Sequence, residues 1–126
     1  MIRRYSPIVL VTLIAALALN ACGGGTTPAP SAKAITLDAA EFSFTPNAFT
    51  ARVGEEVTFT ITNKGTLEHN FVVFDSSGAE LTRTSIAVGS SASAKVKPSA
   101  AGAYEIVCDV AGHKEAGMVA ALTVSE

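Results

Sequence analysis

Cys108, His113 and Met118 follow one another in the spacing Cys-x4-His-x4-Met, and His69 stands well upstream in Glu68-His69-Asn70-Phe71. Two imidazoles, one thiolate and one thioether are the donor set of a mononuclear blue copper site. Sulfur favours Cu(I) and imidazole suits both oxidation states. A trigonal plane of His69, His113 and Cys108 with a weak axial Met118 therefore lets one copper ion change charge with little rearrangement, which is the chemistry of electron transfer. The chain has only two His, two Cys and two Met, and four of these six residues fall into the one pattern. A single buried thiol or core methionine would not carry that weight.

The same residues exclude other chemistry. With both imidazoles given to a metal, none is left to act as a general base, so no hydrolytic triad can be assembled. Asp75, Asp109 and Glu115 show no paired arrangement and are expected in solvated turns. Copper enzymes need further His ligands, and a binuclear copper centre needs a second Cys in the ligand loop, where only Asp109, Val110, Ala111 and Gly112 separate Cys108 from His113. The chain reads as a carrier and not an enzyme.

These ligands need strands to hold them. In Glu56-Val57-Thr58-Phe59-Thr60-Ile61-Thr62 the apolar residues alternate with polar ones, the pattern of a half-buried strand, and Asn63-Lys64-Gly65 ends it. Similar runs lie at 35–37, 49–53, 71–74, 85–88, 93–96, 104–108 and 119–124. Turn signals such as Val53-Gly54-Glu55, Ser76-Ser77-Gly78 and Val88-Gly89-Ser90 separate them. No persistent helical period is present, although Thr82 to Val88 has room for one helical turn. Short strands at this spacing predict an all-β, Greek-key sandwich. Cys108 then closes one strand and Met118 opens the next, so one loop carries three ligands while His69 comes from a separate strand.

The N-terminal end has a different character. Arg3 and Arg4 precede an apolar run from Ile8 to Leu19 that is short for a membrane span, which predicts a secretory signal over residues 1–21. Leu19-Asn20-Ala21-Cys22 resembles the lipobox of bacterial lipoproteins, so Cys22 is expected to be lipidated. Residues 22–33, rich in Gly, Thr, Pro and Ser, are expected to form a flexible tether, and residues 34–126 a single copper-binding domain. More than one acyl chain on Cys22 gives stable anchoring to a membrane. Loss of Arg3 and Arg4 leaves seven basic against eleven acidic residues, too acidic a balance for a nucleic-acid partner. With Cys22 acylated and Cys108 on metal, no thiol remains for a disulfide.

The stretches Phe42-Ser43-Phe44-Thr45-Pro46, Val53 to Phe59, His69-Asn70-Phe71-Val72-Val73-Phe74-Asp75 and Tyr104 to Cys108 through Met118 together resemble a cupredoxin, the family of plastocyanin, azurin and auracyanin. The loop spacing is most similar to that of membrane-tethered auracyanins, with Ala111 where many relatives have Pro. The resemblance implies that the Asn70 backbone N–H points at the Cys108 sulfur and that its side chain ties the His69 strand to the ligand loop. By its place in the loop, the Val110 N–H is a second expected donor to the sulfur. His113, flanked by Ala111, Gly112, Ala116 and Gly117, is expected to reach the surface as the electron port. The expected function is a monomeric, membrane-tethered carrier passing electrons between extracytoplasmic donor and acceptor proteins. Copper delivery or storage is the alternative, for which exposed, mobile ligands would be the signature.

Overall fold

Alternation along the chain becomes two facing sheets in the computed structural model, which describes residues 23–25 and 31–126. In β4 (Glu56–Asn63), Val57, Phe59, Ile61 and Asn63 point inward and the threonines between them face out. One sheet has the order β2 (Ser43–Thr45), β1 (Ala32–Ala40), β4 and β7 (Ser91–Val96). The other has the order β3 (Ala48–Arg52), β9 (Val119–Ser125), β8 (Gly102–Val107), β5 (His69–Phe74) and β6 (Glu80–Ile86). β1 pairs in parallel with β4 and β3 with β9, whereas the remaining ladders are antiparallel.

Aromatic rings fill the space between the sheets. Phe59 lies with its centroid 5.4 Å from Phe49 and 5.1 Å from Phe71, and Phe71 meets Phe44 edge-on at 5.6 Å. Offset and edge-on arrangements of this kind add to the stabilisation that burial alone supplies. Phe71 is two residues beyond His69 on β5, so the aromatic core fixes the strand that delivers one ligand. At the opposite end, the Tyr104 hydroxyl donates to the Ala100 carbonyl (2.8 Å) and anchors the start of β8, the strand that leads to Cys108.

Three features differ from the sequence reading. Strand β1 begins at Ala32, two residues before the expected domain boundary, because Ala32 and Lys33 pair with Glu56 and Val57. The three-residue strand β2 was not anticipated. Thr82 to Ile86 is strand, with no helical turn, since its register against β5 runs from Thr82 opposite Val73 to Ile86 opposite His69. The expected signal segment and Cys22 lie outside the described residues.

The connection from β5 to β6 is closed by Asp75, whose Oδ1 accepts from Ser77 N–H (2.8 Å), Ser77 Oγ–H (2.7 Å) and Ala79 N–H (2.9 Å). These bonds, the Ser77 hydroxyl foremost, hold the carboxyl below its ordinary value of 3.8. A depressed carboxylate contributes stability above its ordinary value and loses it as pH falls through the folded one. Asp75→Ala is therefore expected to lower the thermal midpoint at about pH 7. The gap from the native protein should close towards about pH 2. Thermal melts at both pH values check this, and a gap independent of pH would count against it.

Candidate metal centre

Three strand ends and one loop meet at one end of the sandwich. The ladder of β8 and β9 ends at Val107 opposite Val119, and Cys108 N–H continues it by donating to the Met118 carbonyl (3.1 Å). Cys108 and Met118 are thus neighbours at the base of a loop that holds His113. Inside the loop, His113 N–H donates to Val110 O (2.9 Å), Ala116 N–H to Gly112 O (3.1 Å), and Met118 N–H back to His113 O (3.0 Å). Gly112 and Gly117 adopt φ of 83° and 102°, a left-handed conformation that disfavours side chains, so glycine on either side of His113 lets the loop double back. The loop is held by its own backbone bonds although Ala111 is not proline.

His69 enters from β5, and the turn before it is organised by Asn63. This buried amide donates to Leu67 O (2.7 Å) and Ile86 O (3.0 Å) and accepts from Gly65 N–H (2.9 Å). Every polar atom of Asn63 is satisfied, as burial requires.

The result is a convergence of donors. His69 Nδ1 and His113 Nδ1 are 3.2 Å apart, and Cys108 Sγ is 3.9 Å from the first and 3.4 Å from the second. These are the separations of atoms that share one ion at ordinary metal–nitrogen and metal–sulfur distances of about 2.0–2.3 Å. All three residues are buried, and the fully buried Met118 shares the hydrophobic core cluster with Cys108. Two imidazoles and two sulfur donors fit a single type 1 copper ion, since a thioether is a ligand for soft copper rather than for calcium, magnesium or manganese. Burial, and next the neighbouring His113, push the His69 imidazole below its usual pKa, while Glu41 opposes them. The neutral ring that results is the form a metal binds.

Around the donors, the Asn70 N–H donates to Cys108 Sγ (3.3 Å). The Asn70 side chain donates to Asp109 Oδ1 (2.8 Å) and accepts from the Ser85 hydroxyl (2.8 Å). Asp109 also pairs with Arg83 (2.6 Å), which grips Glu80 in turn. Asn70 first, then Arg83, hold the Asp109 carboxyl below its usual range. Asp109 is therefore a bridge between the ligand loop and β6 and not a free turn residue.

Two expectations need correction. Val110 makes no bond to the sulfur: its carbonyl accepts from His113 and its side chain packs on the core. His113 does not stand open at the surface, being only 5% exposed, because Phe42 lies edge-on against its ring at 4.9 Å. Phe42 belongs to the turn between β1 and β2, far from the ligand loop in sequence. No linear pattern links the two.

A family model described as a cupredoxin-like domain matches residues 8–121. No curated protein matches the chain. Among solved structures, the dithionite-reduced auracyanin of the photosynthetic bacterium Roseiflexus castenholzii is similar with a TM-score of 0.68 at 20% identity, over 76% of this chain and 99% of that one. Auracyanin B gives 0.67 at 20% identity, over 78% and 91%. Auracyanin A, described as a "blue" copper protein of the green thermophilic photosynthetic bacterium Chloroflexus aurantiacus, gives 0.67 at 18% identity, over 75% and 100%. At these identities the likeness establishes the shared sandwich fold.

Proposed function

The chain belongs to the cupredoxin-like family, and from that premise we propose that it is an electron carrier whose ligands are His69, Cys108, His113 and Met118. The observation that carries this reading is the approach of His69 Nδ1, His113 Nδ1 and Cys108 Sγ in a buried pocket. Bound there, copper supplies a one-electron Cu(I)/Cu(II) couple.

The protein's own residues keep that couple reversible. Cys108 and Met118 are locked at the base of the loop, Asn70 directs an N–H at the sulfur, and the loop's backbone bonds resist any change of shape when the charge at the centre changes. A delivery protein must release its metal and is served by exposed, mobile donors, whereas these are enclosed. Access for electrons is by way of His113 and the Phe42 ring that covers it. Phe42 and Leu67 are 41% and 46% exposed, and Glu41, which precedes Phe42, accepts the Leu67 N–H. This small apolar surface suits brief encounters with a redox donor and acceptor. Lipidation of Cys22 would hold the domain at the extracytoplasmic face of a membrane, as a monomer on its tether.

The Cu(I)-loaded protein, challenged with an excess of a Cu(I) chelator, is expected to keep its metal and to turn blue again on oxidation. Prompt transfer to the chelator would make it a delivery protein. Met118→Leu is expected to keep the blue colour while raising the potential, because losing the axial sulfur disfavours Cu(II). Voltammetry checks this, and an unchanged potential would remove Met118 from the ligand set.

A further inference from the structure

One polar atom of the centre is left without a partner. His69 Nε2 is enclosed and forms no hydrogen bond, on the side of the ring away from the converging donors. A ring that ligates through Nδ1 carries its proton on Nε2, and a buried N–H with no acceptor is costly. The acceptor facing it is Glu41 Oε1, 3.7 Å away. At that distance the two act through charge and dipole and not through a formed hydrogen bond.

Glu41 is placed there by the turn that precedes His69. The same Oε1 accepts from Thr66 N–H (2.6 Å) and Leu67 N–H (2.7 Å). Gly65 makes room for it, since a Cβ at that position would fall 2.5 Å from both carboxylate oxygens. The β1–β2 turn and the turn before β5 are thus fitted to each other around one carboxylate, and that carboxylate faces the back of a ligand.

We propose that Glu41 is a positioning residue of the metal centre: it keeps the His69 proton on Nε2, leaves Nδ1 free as the donor, and sets a negative charge behind the ligand that favours Cu(II) over Cu(I). The proposal rests on the copper reading above. A carboxylate behind a ligating imidazole orients the ring and raises its basicity. A negative charge close to a site also stabilises the more positive of its two states. Glu41 therefore lowers the potential from outside the ligand set.

Two variants that share only the position of this carboxylate test the assignment in the full chain loaded with copper. Glu41→Gln removes the charge but leaves an oxygen to accept from Thr66 and Leu67. Gly65→Ala keeps the charge and displaces the carboxylate, which is the far end of a flexible side chain. Glu41→Gln is expected to weaken Cu(II) binding about 10–100-fold with a smaller effect on Cu(I), while the blue band persists. Each tenfold difference between the two states raises the potential by about 59 mV. Gly65→Ala should raise it in the same direction, and it decides the matter if Glu41→Gln does not fold. A lower thermal midpoint with the native potential and native Cu(II) affinity would show a purely structural tie and overturn the proposal. A native chain that never turns blue would instead overturn the copper reading itself.

Discussion

Cys108→Ser is expected to abolish the intense blue absorbance of the copper-loaded protein completely and to leave its fold unchanged. The colour comes from charge transfer between thiolate and copper, and Cys108 is the one thiol among the described residues. A serine hydroxyl fits the same buried position and can accept the Asn70 N–H that now points at the sulfur. Circular dichroism should therefore be native. Cu(II) affinity should fall by more than the roughly 10–100-fold that follows loss of a group behind a ligand. Absorbance and competition titration read both effects. A serine variant that stays blue would place the thiolate, and with it the whole donor set, elsewhere.

Phe59→Ala should do the opposite, damaging stability and sparing chemistry. Phe59 is fully buried and bridges Phe49 and Phe71 across the two sheets. Removing such a ring costs about 3–5 kcal/mol through lost burial and the cavity left behind. In a domain of this size each kcal/mol moves the thermal midpoint by roughly 4–8 °C. The measurement belongs on copper-free protein, because metal bound only by the native state adds stability that masks the change. Well below its midpoint the variant should still turn blue, since the donors come from strand ends and the loop between β8 and β9, whereas Phe59 lies in the middle of β4. A loss below about 1 kcal/mol would mean the aromatic column is not the keystone of the core.

The contrast between these two residues reflects what a linear sequence exposes. Phe59 sits in a strict alternation, and the strand around it could be read from pattern alone. The spacing of Cys108, His113 and Met118 was legible because all three occupy one loop, and His69 because only one other imidazole exists. β2 escaped because three residues are too few to show a period. β6 was ambiguous because its central residues, Thr82 to Ser85, are polar or charged and none of them is buried, so no apolar stripe marks them.

Apart from Asn70, expected from the family resemblance, what encloses the donors was not legible. Glu41, Phe42, Asn63 and Arg83 reach the centre through turns and neighbouring strands, and each meets a partner whose distance along the chain carries no signal. His113 shows the consequence: its small neighbours suggested an open ring, but the cover comes from Phe42 in another turn. Asp109, read as a surface carboxylate, is bound on both sides by groups from β5 and β6. Ligand chemistry is local in sequence here, whereas ligand environment is made by the packing of the sheets.

The most direct test of the central claim is a spectroelectrochemical titration of the copper-loaded chain. The structure predicts one copper per chain and an intense blue band. That band should bleach and return over repeated cycles along a single one-electron curve, with no metal released. A chain that binds copper without the blue band, or that sheds its copper on reduction, would contradict the account.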